Sequence, residues 1–183
     1  MSRVCVFLAE GFEEIEGLTV VDILRRADVE TQTVAITDEQ MVTGSHGIPV
    51  KADACLENVD LGDTEVLVLP GGMPGTRHLG ACRALTDRLV QFAREGKRVA
   101  ASCAAPSVLG DLGILKGKKA ACYPGFEDRL AGAEVVYDRV VTDGNVTTSR
   151  GMGTAIAFAL ELVRLLVSEE KALEIKKGII SGH

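Results

Sequence analysis

Three short runs along the chain, VCVFLA (4–9), VLVLP (66–70) and VAASCA (99–104), are apolar at nearly every position. A strand with one wet face alternates apolar and polar residues, so runs without alternation predict strands covered on both faces, the centre of a parallel sheet. Between and after these runs the period changes. Residues 12–27 and 83–95 carry helix-period patterns, and at 153–167 Ala155, Ala159, Leu162, Val163 and Leu166 fall on one stripe. Strands alternating with helices predict an α/β fold, a doubly wound parallel sheet sandwiched by helices. Segments 30–36, 40–51, 118–123, 134–142 and 145–149 read as further strands or hairpins, with turns at Thr43-Gly44 and Asp143-Gly144. Neither an internal repeat nor a Pro/Ser-rich linker divides the sequence, so residues 1–183 read as one domain.

Composition narrows the class. With 183 residues, 46% hydrophobic and 25% charged, the chain can bury one sizeable core. A net charge of −6 offers no basic surplus for phosphates, which argues against nucleic acid as a partner. The late apolar stretch AIAFALELVRLLV is broken by Glu161 and Arg164 and is too short for a bilayer, so no membrane association is expected. The N-terminal residues turn acidic after a short apolar run, unlike a signal peptide. Five cysteines, an odd number without CxxC spacing, fit free thiols in a reducing cytoplasm better than a disulfide framework or a zinc site. No metal is expected, because no His, Cys and acidic residues cluster with ligand spacing.

The segment RVAASCAAPSVLG carries the strongest chemical signal. A buried strand runs into Cys103 and then at once into small residues and a helix, a strand-turn-helix that pushes a nucleophile outward at the carboxyl edge of the sheet. A helix N-terminus there favours thiolate. The same pattern also suits a core cysteine at a strand end, and a second feature is needed to choose between them. Glu16 is that feature. Stepping from it along the first helix gives Val20, Ile23, Leu24 and Ala27, so Glu16 heads the buried face, on a helix that opens from the same sheet edge as Cys103. Burial raises a carboxyl pKa and lets the neutral acid donate to a sulfur. Glu10, Glu13 and Glu14 fall off that stripe and read as solvated charges near a helix start. In LPGGMPG (69–75) a strand ends in Gly71 and Gly72, where backbone can approach a ligand, and the amides of Gly72 and Ala104 form a candidate oxyanion hole.

AEGFEEIE (9–16), LPGG (69–72), AASCAAP (100–106) and TSRGMGTA (148–155) together resemble the signature segments of the ThiJ/PfpI superfamily, in the same order and across nearly the whole chain. Within it the chain is most similar to the branch of the parkinsonism-associated deglycase and its bacterial relatives. The resemblance implies a flavodoxin-like sandwich and a small homodimer with the first helix at its seam. It implies Cys103 as nucleophile, Glu16 as the acid contacting its sulfur, and Gly72 and Ala104 as site-lining amides. Gly71, Tyr123, His46 and Arg150 are further candidates near the site or the dimer seam. Two departures count against carrying the whole pattern over. Ala104 stands where the protease-like branch has histidine, and Tyr123 precedes Pro124 where the deglycase branch often has histidine. The implied activity is that of a cysteine-nucleophile lyase or hydrolase acting without cofactor on a small aldehyde or glycated substrate. The alternatives are a redox sensor or chaperone switched by Cys103 oxidation and, more weakly, a peptidase or amidase.

Overall fold

A computed structural model describes residues 3–182. Its centre is a seven-stranded sheet, β10-β11-β7-β6-β1-β2-β5, in which every pairing is parallel except β10 with β11. The three apolar runs become β1 (Arg3–Leu8), β6 (Thr64–Leu69) and β7 (Arg98–Ser102), and they lie side by side in the middle of the sheet. The remaining members are β2 (Glu30–Ala35), β5 (Ala54–Cys55), β10 (Val140–Asp143) and β11 (Val146–Ser149).

Strand parity divides the core in two. Val4, Val6 and Leu8 of β1, Val66 and Val68 of β6, and Ala100 of β7 face one apolar cluster. Cys5, Phe7, Leu67, Leu69, Val99 and Ala101 face the other. The first cluster is closed by α1 (Glu14–Arg26), α5 (Ala155–Leu166) and α6 (Glu169–Gly178). The second is closed by α3 (Arg83–Arg94), α2 (Gly75–Ala81) and α4 (Pro106–Asp111). This is the α/β sandwich expected from the alternating pattern. In this topology the chain leaves β1 toward β2 on one side and returns to β6 on the other, and that reversal opens a crevice at the carboxyl ends of the strands.

Several local readings need correction. Segment 40–51 is a small separate hairpin of β3 (Met41–Thr43) and β4 (Pro49–Lys51), whose turn lies at Ser45-His46 rather than at Thr43-Gly44. The later hairpin turns at Gly144-Asn145, one position beyond Asp143-Gly144. Segment 134–142 is two strands: β9 (Glu134–Val135) pairs with β8 (Lys119–Ala120), while β10 joins the main sheet. Helix α6 was missing from the periodic pattern, although Ser168 caps it by accepting from Lys171 N–H and Glu169 and Glu170 occupy its first turn.

Candidate functional site

The ends of β1, β6 and β7 deliver Glu16, Gly71-Gly72 and Cys103 to one crevice. Cys103 is the first residue after β7 and has φ 59°, a left-handed conformation unusual for a residue with a Cβ. Its neighbours hold it there. The Cys103 N–H donates to Ser149 O at 3.0 Å, Tyr123 N–H donates to Cys103 O at 2.8 Å, and Ala105 N–H donates to Ser102 O at 3.0 Å. Such a conformation costs on the order of 1–3 kcal/mol and persists where the surroundings over-determine it. The expected helix does not begin directly after the cysteine: α4 starts at Pro106 and spans only six residues. Among the five cysteines it is Cys82 that occupies a long-helix N-cap, that of the 12-residue α3. The outward turn of Cys103 is therefore confirmed, and a helix dipole as its activator is not.

Glu16 is 1% exposed, as its place on the apolar stripe required. Glu13, the N-cap of α1, accepts from Glu16 N–H at 2.7 Å and fixes the first turn. One Glu16 oxygen, Oε2, accepts from Gly71 N–H at 2.7 Å and from Ser102 Oγ at 3.2 Å. The other, Oε1, is buried without a hydrogen-bond partner. The sulfur is near enough for the two groups to perturb each other's ionisation, yet it is not aligned on Oε1 as a full hydrogen bond. Gly71 must be glycine for this approach: a Cβ there would stand 2.5 Å from the Cys103 Cβ and 2.7 Å from Glu16 Oε2. Gly72 has φ 90°, and a Cβ on it would strike the Glu13 amide.

Burial pushes the Glu16 carboxyl up, against the pull of the Gly71 amide. Burial, reinforced by the charge and hydrogen bond of an ionised Glu16, pushes the Cys103 thiol up to about 12, while the amides of Ala104 and Gly72 pull it down. This reverses the lowered thiol pKa expected from the sequence. Two neighbouring anions in a buried site oppose each other, so the pair titrates as a unit and gives up its second proton only at strongly alkaline pH. Ala104 and Gly72, the candidate oxyanion residues, are those whose amides favour the thiolate.

Of the other candidates, Tyr123 is 50% exposed and reaches Cys103 through its backbone. Its ring borders Gly151 across the crevice. Arg150 does not touch the sulfur. Its Nε donates to Cys122 O at 3.4 Å and its guanidinium stacks 5.4 Å from the Tyr137 ring, steadying the segment that carries Tyr123. His46 sits outside the crevice, with Nδ1 2.9 Å from Glu14 Oε2. Glu14 is a correction, since it is 2% exposed instead of solvated and also accepts from His46 N–H at 2.8 Å. Glu13, Glu14 and His46 place one ligand atom each within 4.8 Å of one another, a grouping hidden in the sequence by 31 intervening residues. The Glu14–His46 hydrogen bonds and the capping of α1 by Glu13, 3.8 Å from His46 Nδ1, account for it. His78, on α2, bonds Glu10 O at 2.8 Å, and His183 lies outside the described residues. Cys122 is buried, and burial and Glu127 push its thiol up to about 11. No described helix is long and apolar enough to cross a membrane.

Residues 2–165 match the model of the DJ-1/PfpI family. The chain is 36% identical over 180 residues to Protein DJ-1 homolog B of Arabidopsis thaliana, covering 97% of this chain but 41% of that longer protein. It thus spans less than half the length of that relative. A deglycase of Pyrococcus abyssi is 35% identical over 170 residues, covering 90% of this chain and 99% of the relative. The solved structure of oxidized Toxoplasma gondii DJ-1 superposes with a TM-score of 0.96 at 35% identity, covering 100% of both chains. With the signature segments, the sheet and the family model in agreement, this chain belongs to the DJ-1/PfpI family.

Proposed function

We propose that this chain is a cysteine-dependent, cofactor-free enzyme acting on small reactive carbonyls, as a 2-oxoaldehyde hydratase of the glyoxalase III type or a protein deglycase. The observation that carries the reading is a buried acid, Glu16, held by the Gly71 amide, with Gly71 packed directly against Cys103 at the carboxyl edge of the sheet. In the proposed step the Cys103 thiolate bonds to the aldehyde carbon and the carbonyl π pair moves onto oxygen. The two amides hold that oxygen and Glu16 supplies its proton, giving a hemithioacetal. The name of the Pyrococcus relative supports the deglycase form. The substrate is proposed to be an aldehyde or glycated group, the working assembly a homodimer, and the compartment the cytoplasm. The test is methylglyoxal consumption. Wild type is expected to turn it over, Cys103→Ser to lose at least 100-fold and Glu16→Ala to lose roughly 10²- to 10⁴-fold, the range of a general acid. Full turnover by Cys103→Ser would overturn the reading.

A redox-sensing or chaperone role is the second reading, favoured by the buried, partnerless Glu16 Oε1 and by the oxidised state of the Toxoplasma relative. A peptidase is disfavoured, since Ala104 replaces the histidine of the protease-like branch and His46 and His78 bond elsewhere.

A further inference from the structure

We propose that Ser102 is a positioning residue that keeps the proton of Glu16 on Oε1, the carboxyl oxygen left free to donate to Cys103. The inference rests on the reading of Cys103 and Glu16 as the working pair. Ser102 ends β7, two positions after Ala100, whose side chain packs in the cluster beneath α1. Strand parity therefore sends the Ser102 hydroxyl toward α1, where Glu16 lies, although its neighbour Cys103 turns into the crevice. Ser102 is 1% exposed, and a hydroxyl buried on that face needs a partner. Its side-chain contact is Glu16 Oε2 at 3.2 Å.

The backbone amide decides the direction of that contact. Gly71 N–H can only donate, and it lies 2.7 Å from the same Oε2. That oxygen is consequently the acceptor end of the carboxyl, and Ser102, with Oε2 as its acceptor, donates to it as well. Two donors on Oε2 disfavour a proton there, so neutral Glu16 carries its hydrogen on Oε1. Oε1 is the buried oxygen without a partner. A Cβ built on Gly151 would lie 4.0 Å from Oε1, so this oxygen borders the Gly151 turn. When the pair loses one proton, the S–H hydrogen leaves, the sulfur keeps the electron pair, and Oε1–H donates to it. Ser102 also draws charge from the far oxygen, which makes Oε1–H the stronger donor. The hydroxyl thus promotes thiolate without touching the sulfur.

The test is the pH dependence of iodoacetamide labelling at Cys103, resolved by site with mass spectrometry, in wild type, Ser102→Ala, Ser102→Thr, Glu16→Ala and the Glu16→Ala/Ser102→Ala double variant. Alanine suits a strand already built from Ala100 and Ala101, so folding is expected to survive. Ser102→Ala is expected to move the labelling midpoint up by about one pH unit, a tenfold loss of thiolate below the midpoint. Ser102→Thr, which keeps the hydroxyl, is expected to restore most of it. In the Glu16→Ala background Ser102→Ala should have no further effect. An unmoved midpoint in Ser102→Ala, or an equal shift with and without Glu16, overturns the inference alone. Wild-type Cys103 labelled no faster than Cys82 would remove the functional reading and this inference with it.

Discussion

At Cys103 the polypeptide accepts two unfavourable conditions at once, a left-handed backbone and a thiol that burial pushes toward its neutral form. Both follow from the crowding that brings Gly71, Ser102 and Glu16 against it. Glu16 can be tested without reference to turnover. Its folded-state pKa is raised, so its contribution to stability is complete below the unfolded value of about 4.3 and is lost as pH rises through the folded value. Glu16→Gln keeps the shape and removes the ionisation. It should therefore gain stability relative to wild type between pH 5 and pH 8, read as the difference in urea midpoint. A constant difference across that range would mean that Glu16 is charged throughout. Gly71 is the second residue whose chemistry is steric. In Gly71→Ala the added carbon would meet the Cys103 Cβ, Glu16 Oε2 and Ser102 O within 3.0 Å. Overpacking should cost about 1–3 kcal/mol and abolish selective Cys103 labelling, measured by thermal unfolding and mass spectrometry. The sequence made Cys103, Gly71 and Gly72 legible because each combines a residue type with a position just after a strand, and Glu16 because it heads an apolar helical stripe. It did not reveal Ser102, because a serine becomes informative only when its acceptor across the crevice is known.

Among the elements, the β3–β4 hairpin is fastened to the start of α1 by polar contacts. Glu10 Oε1 accepts from Thr43 N–H at 2.9 Å, Gly11 N–H donates to Thr43 O at 2.8 Å, and Glu14 accepts from the backbone and ring of His46. Glu14 shows little surface but lies shallow. Its desolvation is outweighed by the bonds from His46 and from backbone amides, which bring it down to about 2. His46 is pushed up by its bond to Glu14. The signs combine into a window. The Glu14 contribution is present above about pH 4.3 and is lost as pH falls toward 2, whereas that of His46 is present below about 6.5 and is lost as pH rises through its raised value. In NMR titrations His46 should therefore titrate above 6.5 in wild type and return toward 6.5 in Glu14→Gln. Amide exchange across 41–51 should be slowest, relative to intrinsic rates, between those limits. The sequence made His46 a candidate near the site or the dimer seam and left Glu14 off the buried stripe. Pairing two residues 32 positions apart depends on where the hairpin folds back, which no local period encodes.

For the whole molecule, α1 and α5 pack side by side and leave Ile15 50%, Leu18 36% and Ile156 42% exposed, with Ile48 of the hairpin 50% exposed. Leu18 and Ile156 border one surface groove, which suits burial against a second copy, and the homodimer with α1 at its seam stands as a proposal on that basis. Light scattering at micromolar concentration should give twice the 19.4 kDa chain mass, and Leu18→Glu should shift it toward the monomer. A wild-type monomer would refute the dimer, and an unshifted Leu18→Glu dimer would refute this seam.

The sequence by itself determined the central strands, the main helices, the strand-end cysteine and the acid heading the first helix. All of these are written in short-range patterns: unbroken apolar runs, a 3.6-residue stripe, and glycine or small residues after a strand. Tertiary structure decided the rest. It split 134–142 between two sheets, because pairing depends on which partner strand is adjacent rather than on the segment's own residues. It turned the Cys103 thiol pKa upward, because burial and the approach of Glu16 outweigh two backbone amides and the expected helix starts three residues later and stops after six. Dielectric and distance are properties of the packed molecule, and a sequence supplies only the groups on which they act.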